Sequence, residues 1–309
     1  MSPRPVIIDC DPGQDDAVAL LLAFASPEEI QVSGVTAVAG NVPLELTEKN
    51  ARRVCTLAGR RETKVYAGCA RPLERPLVTA EHVHGKTGLD GAVLPEPEMA
   101  LEPEHAVDFI IEESRAGGVT IAATGPLINI ATAIAKAPEI TENIREIVLM
   151  GGAMGLGNVT PAAEFNVYVD PHAAHAVFGS GVKLTMLGLD VTHQATVTPE
   201  RLRAIRAIGT PVAEAVSGML AFSRDRHGAR FGGAGSPLHD PCVIAYLLRP
   251  TLFKGKHVHV AVETASELTM GRTVVDWWGV TGKAPNATVI EGIDADGFYA
   301  LLTERLARL

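Results

Sequence analysis

Residues 6–25 read VIIDCDPGQDDAVALLLAFA, and the fold can be read from this stretch. Pro5 to Asp9 is a short β-branched run with the character of a strand, and Asp16 to Ala25 is an apolar run of helical type. Pro12 and Gly13 turn the chain between them. Asp9, Asp11, Asp15 and Asp16 fall within this junction. Asp9 and Asp11, two residues apart, share one side of the strand end, while Asp15 and Asp16 reach the first turn of the helix. In open α/β sheets the carboxyl end of a strand is where ligands bind.

Outward from this unit the alternation recurs. Ile30 to Val38 precedes a helical pattern at Leu44 to Leu57, and Val119 to Ala123 precedes one at Leu127 to Ala135. Further strands are expected at Ile147 to Met150, Lys183 to Leu187, Val258 to Val262 and Thr288 to Glu291, with a closing helix at Ala295 to Leu309. Such alternation predicts right-handed βαβ units and an α/β fold: an open, mostly parallel, Rossmann-like sheet flanked by helices. Loop-rich stretches are expected at Arg71 to Pro103 and Gly151 to Asp170, and long loops inside a compact domain are often functional. Pro199 to Leu248 reads as mainly helical, interrupted at Arg224 to Ser236 by a polar, Gly-rich piece. No repeat or low-complexity linker divides the chain, so residues 1–309 are expected to form a single domain.

Of the 309 residues 47% are hydrophobic and 20% charged, enough for a large core and a soluble globular protein. Lysine plus arginine number 27 against 36 acidic residues, a net charge of −9. With no basic, aromatic-interleaved stretch, nucleic acid is not an expected partner. No apolar run approaches the roughly 18 residues of a membrane span, so no membrane partner is expected. The start, MSPRPVIIDC, lacks the pattern of a secretory signal, and a cytoplasmic location is expected. Cys10, Cys55, Cys69 and Cys242 contain no CxxC pair and read as reduced core residues.

An aspartate ahead of a helix can cap it and complement its dipole, contributing about 0.5–2 kcal/mol. That accounts for one or two of the four. Crowded anions repel unless some are protonated or a cation neutralises them, and each pKa unit of elevation costs about 1.4 kcal/mol. A divalent cation is the better reading. Oxygen donors favour calcium or magnesium over zinc, and calcium's looser shell accepts ligands from distant parts of the chain. Asp240, ahead of Pro241 and an apolar helical run, reads by itself as an ordinary N-cap. His257 and His259 alternate on an expected strand, with no third ligand for zinc. MGGAMGLGN, from Met150, lacks the GxGxxG spacing of a phosphate loop and reads as close packing beside a ligand pocket. Trp277 and Trp278, as neighbours on a strand, would point to opposite faces, with core or subunit packing as their role.

DCDPGQDDA at residues 9–17 closely resembles the DxDPGxDDA signature of the inosine-uridine-preferring nucleoside hydrolase family. HGKTGLDG (84–91), ATGPLINIA (123–131), GNVTPAAEFNVYVDP (157–171) and LHDP (238–241) continue the likeness in order, so it spans nearly the whole chain. The resemblance implies the nucleoside hydrolase fold and a calcium ion held by the side chains of Asp11, Asp16 and Asp240 and the carbonyl of Thr124. A water and the ribose 2′- and 3′-hydroxyls would complete its shell. It also implies Asp15, Asn158, Glu164 and Asn166 on the ribose hydroxyls, Asn41 near the nucleophilic water, and Asp9 supporting the cluster from behind. Phe165 lies inside the substrate-binding motif. His84 is expected at the base pocket, with Arg224, His227 and Phe231 reaching over the base. Members commonly assemble as homodimers or homotetramers, and either is expected here.

These residue types suit N-ribosyl cleavage. Breaking the bond builds positive charge on the anomeric carbon and ring oxygen, as in other glycoside hydrolyses. Asp11 would remove a proton from an activated water as it attacks. A calcium ion that grips the sugar diol would fix the ribose before reaction. His239 is the candidate acid for the leaving base, since an unperturbed imidazole titrates near 6.5. The family branch with this histidine is associated with inosine and uridine or with pyrimidine nucleosides, and a purine-selective branch uses aromatic stacking instead. A rival reading is a magnesium-dependent phosphohydrolase of the haloacid dehalogenase type, with Asp9 as nucleophile; the second acidic pair and the lack of a downstream lysine and acidic-pair arrangement count against it. A non-catalytic nucleoside-binding protein would have lost Asp11, Asp240 or the ribose-binding Asn and Glu, and all are present.

Overall fold

The computed structural model describes residues 2–227 and 235–309, without the side chain of His227. In chain order the elements are β1 (Arg4–Cys10), α1 (Gln14–Phe24), β2 (Ile30–Ala37), α2 (Leu44–Leu57), β3 (Val65–Ala67), α3 (Glu81–His84), α4 (Ala106–Ala116), β4 (Thr120–Ala123) and α5 (Ile128–Lys136). There follow β5 (Glu146–Met150), α6 (Phe165–Val169), α7 (Pro171–Phe178), β6 (Leu184–Leu187), α8 (Leu189–Thr192), β7 (Thr196–Val197), α9 (Pro199–Arg206) and α10 (Pro211–His227). The last are β8 (Ser236–Pro237), α11 (Pro241–Leu248), β9 (Phe253–Val262), β10 (Thr273–Asp276), β11 (Ala287–Ile293) and α12 (Ala295–Leu306).

One nine-stranded sheet, ordered β10-β9-β11-β6-β5-β4-β1-β2-β3, forms the centre. It is parallel from β11 to β3, and β9 alone runs antiparallel to both of its neighbours. Strand alternation sends side chains to two apolar layers. Val6, Ile8 and Cys10 of β1 pack with α1, α10, α11 and α12 on one face. Ile7, with Ile121 and Ile147 of the neighbouring strands, packs with α4, α5 and α7 on the other. Helix α1 is apolar all round because it is enclosed all round: Ala17 to Phe24 are all buried.

The α/β expectation holds, with local differences. The expected loops contain the short helices α3 and α6, and α10 continues through Arg224 to His227 where a break was expected. Trp277 and Trp278 lie beyond the end of β10, so strand alternation does not govern them; Trp278 is exposed. Among the described residues, no helix is long and apolar enough to cross a membrane.

Gly34 illustrates how tightly the second layer closes. A Cβ there would stand 2.7 Å from Phe109 Cζ and 3.1 Å from Tyr66 Cε2, two rings stacked at 4.0 Å. Gly34→Val is expected to lower stability by about 1–3 kcal/mol through overpacking. Urea unfolding checks this, and an unchanged midpoint would contradict it.

Candidate active site

The chain leaves β1 for β2 on one side and later returns to β4 on the other. This reversal opens a crevice beyond the carboxyl ends of β1 and β4, the usual ligand position in such sheets. Asp11 and Thr124 follow those two strand ends directly, and the Thr124 amide donates to the Asp9 carbonyl at 2.8 Å. Helix α1 begins at the same place, with Asp15 and Asp16 in its first turn, where the dipole favours anions.

Asp16 is fully buried. Its Oδ2 accepts from the Gly13 amide at 3.0 Å and from Asn41 Nδ2 at 3.2 Å, and its Oδ1 accepts from the Thr124 hydroxyl at 2.7 Å. Helix capping therefore explains part of its role. Asp11 Oδ2 accepts from the Asn41 amide at 2.7 Å, but its Oδ1 is buried without a hydrogen-bond partner. A Cβ on Gly125 would sit 2.8 Å from that oxygen, so glycine is needed for the close approach. Asp240 starts α11 but makes no capping bond with its side chain. Asp15, Asp16 and Asp240 instead bring carboxylate oxygens within 4.8 Å of one another. Asp11 is not in this tight trio.

Asp9 stands behind. Its Oδ1 accepts from Thr36 Oγ1 at 2.6 Å and Asn129 Nδ2 at 2.8 Å, and it is fully buried. This placement disfavours the phosphohydrolase reading, which needs Asp9 as an accessible nucleophile.

Burial raises all of these carboxyls. Asp16 is pushed up to about 6, by burial and then by the charge of Asp15. Asp9 is pushed up to about 7 by burial, against the hydrogen bonds from Thr36 and Asn129. Asp11 and Asp240 lie well above the usual carboxylate range, through burial and then the charge of neighbouring aspartates. Asp15 is also raised by burial. Hard oxygen donors, mutual repulsion and an orphaned carboxylate oxygen together fit a divalent cation.

Above the carboxylates lies an open cleft. Asp15, Asn41, Thr124 and Asp240 line its floor. Asn158, Glu164, Phe165 and Asn166 line it too. Asn166 Nδ2 donates to the carbonyls of Thr124 at 2.8 Å and Met150 at 3.1 Å. Glu164 is held by the amides of Gly152, Asn166 and Val167 at 2.9, 2.9 and 3.1 Å, and burial raises it to about 7. Asn158 Oδ1 accepts from the Phe165 amide at 2.9 Å. His84 and His239 also line the cleft. His239 Nδ1 lies 2.8 Å from Thr192 Oγ1.

Thus the cleft gathers most of the site residues expected from the sequence. Arg224 is a correction: it pairs with Asp225 at 2.9 Å and lines a groove against α9, because α10 turns it away from the cleft, where Leu220 and Ser223 face instead. The side chain of His227, and Phe231, lie outside the described residues. The glycine segment after Met150 spends its amides internally: Gly152 on Glu164, Ala153 on Thr273, and Met154 and Gly155 on Asp190. Sequence reasoning missed Gln14, Thr36, Asn129 and Thr192. Gln14 and Asn129 sit inside the quoted motifs, but only the tertiary contacts give them roles.

The raised carboxyls set a pH dependence. Each keeps its proton to a higher pH in the folded chain than in the unfolded one, so the folded state binds more protons between about pH 4 and 7. Metal-free protein is therefore expected to lose stability as pH rises through that window. A cation that neutralises the cluster offsets the loss. Added calcium is expected to raise the melting temperature more at about pH 7 than at about pH 5, as thermal scans against a chelator control would check; equal gains at both would contradict the account.

Comparison with known proteins agrees with this geometry. The family model described as inosine-uridine preferring nucleoside hydrolase matches residues 6–300. The pyrimidine-specific ribonucleoside hydrolase RihA of Shewanella sp. (strain MR-7) is 51% identical over 307 residues, covering 98% of this chain and 96% of that protein. RihA of Citrobacter koseri is 49% identical over 306 residues, covering 98% of each. Among solved structures, the purine-preferring ribonucleoside hydrolase from Gardnerella vaginalis superposes with a TM-score of 0.92 at 33% identity, covering 98% of both chains. With the match running from the first strand into the last helix, the chain belongs to the inosine-uridine preferring nucleoside hydrolase family and is an N-ribohydrolase.

Proposed function

We propose that this enzyme hydrolyses the N-glycosidic bond of pyrimidine ribonucleosides, uridine or cytidine, with calcium as its ion, and that it serves nucleoside salvage or catabolism in the cytoplasm. The observation that carries the reading is the convergence of Asp15, Asp16 and Asp240, close to the unpartnered Asp11 Oδ1, beneath a cleft that Asp15 and Asp240 line. Identity near one half with relatives named pyrimidine-specific supports the choice of base.

A bound calcium ion would neutralise the carboxylates, orient a sugar diol and lower the pKa of a nearby water. Asp11, Asp16, Asp240 and the Thr124 carbonyl would hold it. Asp11 is the general base: burial raises its proton affinity, and Oδ1 has no competing donor. Asn41 fixes the other oxygen of Asp11 at 2.7 Å and so aims the carboxylate. Asp15, Asn158, Glu164 and Asn166 would take the ribose hydroxyls, and their ordered backbone contacts mean that little motion is lost on binding. Phe165 and His84 would flank the substrate. His239, oriented through Thr192, would donate a proton to the departing base. The exposed apolar side chains of Val274, Trp278 and Val280, at and beyond edge strand β10, support a subunit contact in a homodimer or homotetramer.

The direct test is release of reducing ribose from uridine, cytidine, inosine and adenosine in calcium-containing buffer. The pyrimidine nucleosides are expected to give the higher kcat/KM, and preference for purines would overturn the assigned base. Asp11→Asn should keep the fold and reduce kcat by about 10²–10⁴-fold, the range of general base catalysis; near-normal kcat would remove Asp11 from that role. His239→Ala should slow uridine far more than p-nitrophenyl riboside, whose leaving group needs no proton. Equal losses on both substrates would contradict leaving-group protonation.

A further inference from the structure

Gln14 opens α1 with its side chain almost wholly buried, at the lip of the cleft. Its amide makes three contacts. Nε2 donates to the carbonyls of His84 at 2.9 Å and Asp90 at 3.1 Å, and Oε1 lies 2.6 Å from His84 Nδ1. Carbonyl oxygens only accept, so the amide nitrogen must face those two, which turns the amide oxygen towards the imidazole. That oxygen only accepts as well, so Nδ1 of His84 must carry a hydrogen. In the neutral ring the lone pair then belongs to Nε2.

The ring is also wedged in place. A Cβ on Gly13 would stand 2.5 Å from His84 Nδ1 and 2.8 Å from Cε1, so the imidazole lies directly against the turn that carries the aspartates. Asn50 makes a second stitch between the same two segments, donating to the carbonyls of Pro12 at 3.0 Å and Thr87 at 2.7 Å.

We propose that Gln14 is a positioning residue that locks His84 in the Nδ1–H tautomer, so that Nε2 meets the bound nucleoside as a hydrogen-bond acceptor. The tautomer is argued from the three contacts of Gln14, whereas its effect on turnover rests on the nucleoside-hydrolase reading given above. An acceptor that engages the substrate in its ground state acts on binding. One such hydrogen bond is worth about tenfold at most.

The test uses the full, calcium-loaded chain labelled with ¹⁵N-histidine at about pH 8, above the ordinary imidazole pKa of about 6.5. The His84 signals are identified by their loss in His84→Ala. Wild type is expected to show a protonated Nδ1 and an unprotonated Nε2. Gln14→Met should shift the tautomer towards Nε2–H and raise KM for uridine about tenfold, with kcat changed far less. Asn50→Ala, which cuts the other stitch, should leave the tautomer as in wild type. An Nε2–H tautomer in wild type overturns the proposal without any variant. So does an unchanged tautomer or KM in Gln14→Met, or a tautomer shift of the same size in Asn50→Ala. If wild type cleaves no nucleoside, the function assigned above fails, and the tautomer signals still decide for or against the lock.

Discussion

Mutual repulsion among aspartates buried at one strand end is the constraint on which this structure depends. Asp9, Asp11, Asp15, Asp16 and Asp240 are brought together from β1, α1 and the start of α11. Burial raises the proton affinity of each. Such a cluster costs stability unless a proton or a cation offsets it. Donors within the fold offset part of that cost on three of them: Thr36 and Asn129 on Asp9, Asn41 on Asp11, and Gly13, Asn41 and Thr124 on Asp16. Asp9 Oδ2 and Asp11 Oδ1 are buried without a hydrogen-bond partner, and the proposed chemistry falls on the second of these.

The sheet supplies the geometry for this concentration. Reversal of strand order beside β1 opens a crevice, and the adjacent ends of β1 and β4 lead directly into Asp11 and Thr124, the latter lining the cleft. Helix α1, enclosed on all sides, is held rigidly enough to aim Asp15 and Asp16 from its first turn. The loop before α6 folds back so that Glu164 and Asn166 are fixed by backbone groups of the segment after β5 and of Thr124. Side chains held by partners of this kind lose little entropy when a substrate arrives.

Most of the architecture was legible in the sequence because parallel strands and covering helices leave strong periodic signals. Helix α2 was read to its ends, and β1, β2, β4 and β5 to within one or two residues. The weak signals belonged to short elements: β3, β7 and β8 are two or three residues long, too short to carry a pattern. The aspartate cluster was legible because four carboxylates cannot all be caps. Asp240 by itself read as a cap, and only its tertiary neighbours, together with its missing capping bond, separate the two roles. Arg224 was misplaced because a helix turn, invisible in composition, carries it to the α9 side. Gln14 and Thr192 escaped notice because each acts through a histidine far away in the chain.

These carboxylates are proposed to hold an ion that grips a sugar diol. A crystal structure with calcium and a non-hydrolysable pyrimidine nucleoside analogue tests it most directly. The account predicts one ion with oxygens of Asp11, Asp16, Asp240 and the Thr124 carbonyl at about 2.3–2.6 Å, sharing its shell with the ribose 2′- and 3′-hydroxyls. A nucleoside bound in the cleft with no ion beneath it, or with Asp240 turned away from the ion, would contradict the account.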